Sequence, residues 1–149
     1  MSSRRLAREQ AVQILYQADL TGNELEEVLA LHWQVESNHP ERDPPDPLDI
    51  EFASRLVRGV SAQGERIDEL IGAASINWKV QRMSYVDRNI LRLAVFEFLE
   101  LADIPPTVSI NEAIELGKRL GTTESGAFIN GILDKIRRNL EQSGGEAGQ

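Results

Sequence analysis

The chain has 149 residues, 27% of them charged, and sets 16 Lys and Arg against 24 Asp and Glu, for a formal net charge of −8 and no cysteine. This length suits a single domain burying roughly two-thirds of its unfolded surface in one core, and the missing cysteine excludes disulfides, thiolate zinc sites and thiol catalysis. The acidic total excludes a uniformly basic surface, so any contact with a polyanion needs cations gathered locally.

Arg4 to Leu20 forms the first predicted helix. Ala7, Ala11, Ile14, Leu15 and Ala18 recur on one side of a 3.6-residue period, and Arg5, Arg8, Val12 and Tyr16 occupy an adjoining strip. Before Asp19, Arg4, Arg5 and Arg8 are opposed only by Glu9, whereas the next stretch carries Glu24, Glu26, Glu27 and Glu36. The helix is expected to end at Gly22, which tolerates left-handed dihedrals. A second, weaker helix spans Glu24 to Ser37, with Val28, Leu29 and either Leu31 or Trp33 available for burial.

Residues 38–49 hold Pro40, Pro44, Pro45 and Pro47, which remove backbone donors, so this segment reads as a mobile surface loop. One longer helix follows from Leu48 or Asp49 to about Ala74, with Gly59 and Gly64 as loosening points. Trp78 and Met83 read as core residues at a joint between helical halves. Tyr85 to Leu101 is apolar around most of its circumference and marks a central buried helix. Glu97 falls on that apolar face, where a carboxylate needs a hydrogen-bond partner such as the helix start at Ser109 or a nearby Arg.

Asp103-Ile104-Pro105-Pro106 stops the central helix, and Ser109 with Glu112 has the spacing of a capping box for the next one. Thr122-Thr123-Glu124-Ser125 caps a last helix whose period runs through Asn130-Gly131 to Leu140. The glycine-rich residues 142–149 read as a disordered tail. The expected fold class is all-α, in a single domain over residues 1–141.

Enzymatic motifs are missing from the sequence. His32 and His39 sit before and at the start of the proline-rich segment without metal-ligand spacing and read as exposed, no glycine-rich phosphate loop follows a strand, and no nucleophile stands in a recognised elbow. No cofactor, metal or catalytic group is expected. No apolar run approaches the ~18 residues of a membrane span, and Glu9, Gln10 and Gln13 interrupt the basic start, so a soluble, unprocessed, cytoplasmic protein is expected.

The segment VDRNILRLAVFEFLELADIPPTVSINEAIELGKRLGTTESGAFINGILDKI, Val86 to Ile136, resembles the C-terminal half of the bacterial transcription antitermination factor NusB family. It has a VDR-x-ILRLA stretch, a D-I-P turn, an INEA-x-EL-x-K helix and an F-x-NG-x-LDK helix in that order. RRLAREQAVQILYQ resembles the family's Arg-rich opening helix, while residues 21–81 match in length and helical pattern only.

The resemblance implies about seven helices in two small helical bundles, at about 3–75 and 76–141, packed perpendicular to each other. It also implies a non-enzymatic adaptor that binds boxA-type single-stranded leader RNA with the ribosomal protein NusE, within the RNA polymerase antitermination complex, to promote read-through of ribosomal RNA operons. RNA contacts are then expected from Arg4, Arg5 and Arg8 and from Glu124, Ser125 and Phe128. Ala127 replaces a lysine of an enterobacterial relative, and Lys118 and Arg119 are the nearby cations that could compensate. Phe128 has two readings, base stacking and core.

Partner contacts are expected from Tyr16 and Asp87, extended by helical angle to Arg88, Arg92 and Phe96, with a core position the equal alternative for Phe96. Two rivals stand beside this reading: an accessory module of an rRNA-modifying, methyltransferase-like system, and a purely protein-binding helical module. Monomer and homodimer are both left open.

Overall fold

The structure, a computed structural model, describes residues 3–147. Among these residues the chain forms seven α-helices, one 3₁₀ turn and no strand. The helices are α1 (Ser3–Thr21), α2 (Leu25–Ser37), α3 (Pro47–Ala62), α4 (Gly64–Ala74), α5 (Tyr85–Glu100), α6 (Pro106–Leu120) and α7 (Ser125–Ala147), with the 3₁₀ turn at Val80–Arg82. Contacts divide the chain into two compact units, up to Ala62 and from Gln63.

In the first unit α1 packs on α3 and α2. Ala7 and Ala11 are fully buried, and their small side chains allow close approach of another helix, with Ile14 and Leu15 completing the apolar side. Gly22 ends α1 at φ +72°, the only left-handed residue among those described, and its N–H reaches back to the Ala18 carbonyl at 2.9 Å. Trp33, rather than the exposed Leu31, turns inward on α2 and donates its indole N–H to Ser54 Oγ at 3.3 Å. The proline-rich segment ends at Asp46, whose carboxylate accepts the Leu48 N–H at 2.8 Å, so α3 starts at Pro47, where a missing N–H costs nothing.

The single helix expected from Leu48 to Ala74 is two. Gln63, at φ −110° and ψ 21°, interrupts it between α3 and α4, next to the loosening point expected at Gly64. The boundary between units falls here and not near residue 75, because α4 packs against α5 and α7.

In the second unit α5 is the centre, with Ile90, Leu91, Leu93, Ala94, Val95 and Phe96 all buried. Glu97 is only 2% exposed, and its Oε1 accepts a hydrogen bond from Ser109 Oγ at 2.9 Å. A capping role for Ser109 is therefore corrected. The helix begins a turn earlier with Pro106 in its first position, which leaves Ser109 buried on α6 as the donor to Glu97. α6 then lies against α7 at Gly117, where an added Cβ would sit 2.8 Å from Ile129 Cδ1. α7 runs past Gln142, where a tail was expected, to Ala147; residues 148–149 lie outside the described range.

Candidate nucleic-acid interface

The first unit contributes cations. Arg4 and Arg8 stand one turn apart on α1 and both face the Phe52 ring of α3, at 4.7 Å and 5.8 Å from its centroid. A guanidinium over an aromatic face is attracted by the ring's quadrupole, which holds the side chain in place. Arg4 is exposed and Arg5 half-buried, but Arg8 is only 4% exposed. The outward strip read from helical angle is therefore corrected at Arg8 and Val12, both buried; Arg8 supports the helix from beneath and does not present its charge to solvent. Tyr16, further along the same helix, is 37% exposed.

The second unit contributes a cleft of about 460 Å³. It gathers residues from the segment after α4, from the start of α5 and from the start of α7. Trp78, Arg82, Met83, Ser84 and Asp87 line one part of it, and Thr122, Glu124 and Phe128 complete it. Phe128 is half-buried, and so serves partly as core and partly as cleft lining.

Capping chemistry holds the two helix starts. Ser84 Oγ accepts the Asp87 N–H at 3.0 Å. Ser125 Oγ accepts the Thr122 N–H at 2.9 Å, and Thr122 Oγ1 donates to Glu124 Oε2 at 3.2 Å. Ser125 is 1% exposed, which corrects its expected contact with RNA: its hydroxyl is spent on the turn that orients Glu124 and Phe128. Lys118 and Arg119 are exposed at the end of α6. The Lys118 stem runs past the start of α7, its Cγ 3.7 Å from where a Cβ on Gly126 would be, with its ammonium 3.6 Å from Glu115.

The partner strip expected on α5 is largely dismantled. Phe96 is buried, which corrects its outward placement. Arg92 makes a two-point ion pair with Asp68 of α4, at 2.9 and 3.0 Å, and a further bond to Asn89 Oδ1, so it fastens α5 to α4. Arg88 lies over the Tyr85 ring at 4.4 Å and donates to the Gln81 carbonyl. Asp87 alone of the set lines the cleft, beside Glu124 and Phe128.

Sequence reasoning missed three residues. Phe52 gives the arginines a platform, but its only signal was one aromatic on an otherwise ordinary helix. Trp78, taken as core, is 54% exposed, and Arg82 stands four residues beyond it with its side chain exposed and without an ion pair among the described residues. An indole and a guanidinium four apart, in a segment too short to bury both, was a legible sign.

Helices alone, with an arginine-bearing first helix in an acidic chain and an aromatic cleft fixed by two helix starts, define an all-α binding module. Among the described residues no group of His, Asp and Glu is arranged to hold a metal, and no helix is long and apolar enough to cross a membrane. The model of the NusB family matches residues 5–138, and the chain belongs to that family.

The transcription antitermination protein NusB of Desulforapulum autotrophicum is 51% identical over 144 residues, covering 95% of this chain and 97% of that protein. The protein of the same name from Myxococcus xanthus is 46% identical, covering 91% and 95%. Among solved structures, T. maritima NusB has a TM-score of 0.79 at 39% identity, covering 91% of this chain and 90% of that one. A crystal structure of the antitermination factors NusB and NusE in complex with dsRNA aligns with a TM-score of 0.79 at 29% identity, covering 93% and 98%.

Proposed function

We propose that the chain is a cytoplasmic, non-enzymatic RNA-binding adaptor of transcription antitermination. Together with NusE it grips a boxA-type leader RNA, joins the RNA polymerase antitermination complex and promotes read-through of ribosomal RNA operons. The observation that carries this reading is membership of a family with a solved relative bound to NusE and dsRNA. The chain's own residues supply the physical means. Arg4, steadied on Phe52, and Arg5 offer cations for phosphates; Lys118 and Arg119 add charge beside the start of α7; Phe128 offers a flat face for an unstacked base. Arg8 and Ser125 act from beneath as supports. Tyr16 and Asp87 remain the residues proposed for the protein partner, Tyr16 because an exposed phenol gives both contact area and a hydrogen bond. The accessory-module alternative gains nothing from the relatives named above, which are antitermination proteins.

The reading is tested by titrating a boxA-type single strand, its scrambled sequence and a duplex with the protein, with NusE and with both. Binding to the boxA strand is expected to be weak for the protein alone and at least tenfold tighter with NusE. By linkage the RNA must tighten the protein pair by the same factor. No binding with NusE present, or equal binding to the scrambled strand, removes the reading.

A further inference from the structure

We propose that a groove beside α4 is a docking site for a basic amphipathic helix of a protein partner other than NusE. This partner goes beyond the RNA reading above, because the groove has the wrong charge for a polyanion.

The groove lies wholly within the second unit and has a volume of about 630 Å³. Glu65, Asp68, Glu69 and Gly72 of α4 form one wall, at the i, i+3, i+4, i+7 spacing of a single helical strip. The other wall is the segment that follows α4, and its own hydrogen bonds order it. The Ser75 N–H returns to the Ile71 carbonyl at 3.0 Å, the Ser75 hydroxyl donates to the Trp78 carbonyl at 2.7 Å, and the Arg82 N–H reaches the Lys79 carbonyl at 2.9 Å. Ile76 and Trp78 on this wall are nevertheless 82% and 54% exposed, Ile76 more so than any other large apolar side chain among the described residues. Apolar residues exposed singly are ordinary, but two lining one concave surface on a fixed backbone mark a contact site.

Charge decides the class of occupant. Arg92 holds Asp68 at 2.9 Å, whereas Glu65 and Glu69, exposed and one turn apart, have no ion pair among the described residues. Lys79 is the one cation lining the groove, so the lining as a whole is negative and repels phosphate. Two cations four residues apart on a partner helix match two carboxylates four residues apart on α4. Gly72 adds the space. A Cβ there would meet nothing within 4 Å, so the bare backbone of α4 is open to close approach, and an apolar side chain seated beside it meets Ile76 and Trp78. An amphipathic helix laid into a groove binds in this way, by apolar anchors a turn apart from its charges. Tyr16 and Asp87, the residues proposed for NusE, do not line the groove, which leaves it to a different protein.

Replacing Trp33 by Phe leaves Trp78 as the one remaining tryptophan of the chain, so its fluorescence reports on the groove. This variant is titrated with a sixteen-residue, alanine-rich helical peptide that carries two arginines four residues apart and a leucine one turn beyond each, so that either direction of docking is served. One control peptide has glutamates for the arginines, and another has serines for the leucines. The arginine–leucine peptide is expected to shift Trp78 emission to shorter wavelength and to bind about tenfold tighter than either control, more weakly as salt rises. Glu65→Gln with Glu69→Gln should weaken it about fivefold at low salt and remove most of the salt dependence.

Gly72→Leu fills the groove from a position where a side chain meets no neighbour, and should abolish peptide binding while leaving the binding of NusE and of boxA-type RNA unchanged. Ile76→Ser, at a side chain almost wholly in water, should weaken the peptide without lowering the melting temperature. Equal binding of all three peptides, or binding of none, overturns the proposal. Loss of NusE binding in Gly72→Leu gives the groove to NusE and also overturns it. A Trp78 response to RNA that Gly72→Leu removes assigns the groove to nucleic acid, with the same result.

Discussion

His32 meets the side chains of Gln10 and Trp33 on the inner side of α2: its Nε2 hydrogen-bonds Gln10 Oε1, and its ring stands edge-on to the indole at 4.8 Å between centroids. Since an amide oxygen only accepts, the neutral imidazole donates through Nε2. Burial lowers its pKa below the ordinary 6.5, and Glu36 opposes that shift only in part. The unfolded chain then takes up a proton before the folded one as pH falls. Stability is fully present above about 6.5 and is lost between that value and the lower folded one.

Thermal melts of the whole chain at pH 7.5 and 5.5 should show a lower midpoint at the acid value, and His32→Gln should shrink the difference. An equal difference in that variant would place the titrating group elsewhere. Sequence reading had placed this histidine in solvent, and it failed at Arg8 for a related reason. Helical angle says which residues share a strip, but whether the strip is covered depends on residues distant in the chain, Gln10 for His32 and Phe52 for Arg8.

Between elements, the turn from α6 to α7 is closely packed. A Cβ on Gly121 would come within 2.8 Å of Ser125 Cβ and 2.9 Å of the Gly117 carbonyl oxygen, while one on Gly131, inside α7, would meet nothing within 4 Å. Two identical replacements should therefore have opposite signs. Gly121→Ala is expected to cost about 1–3 kcal/mol by overpacking, and Gly131→Ala to gain about 0.5–1 kcal/mol from helix propensity. Denaturant midpoints of the two variants check this, and a shared sign would refute it.

Because Ser125 carries Glu124 and Phe128, Gly121→Ala should weaken RNA binding as well, whereas Gly131→Ala should not. The helices were legible because period, proline and glycine are local signals, as at Gly22 and at the Asn130-Gly131 pair inside α7. Starts and breaks were less so. Ser109 had capping spacing, yet Pro106 began the helix a turn earlier and the buried carboxylate of Glu97 claimed the hydroxyl, a tertiary demand that no local motif displays. Trp78 was taken as core for the opposite reason: hydrophobicity suggests burial, yet the indole lines an open cleft and stays half exposed.

Over the whole molecule the question is how a chain of net charge −8 holds a polyanion. Much of its positive charge is already neutralised: Arg42 pairs with Glu36, Arg58 with Glu26, Arg92 with Asp68 and Arg137 with Asp134. Such pairs attract phosphate weakly, because approach brings the acid as well. On the proposed reading, field strength at the RNA depends on where cations are gathered, as Arg4 and Arg5 are at the start of α1, and each phosphate neutralised there releases counterions, so the logarithm of affinity falls with the logarithm of salt by about 0.7 per contact on a single strand.

Replacing Arg4 and Arg5 together by Ala should flatten that slope by about 1.4, two such contacts, and weaken binding most at low salt. Replacing the exposed, paired Arg42 and Arg58 removes the same formal charge and should leave the slope unchanged, since exposed pairs of this kind contribute little. Titrations at four ionic strengths separate the two cases. Equal flattening by both double variants would mean that total charge, and not the placement of two arginines on α1, governs the attraction.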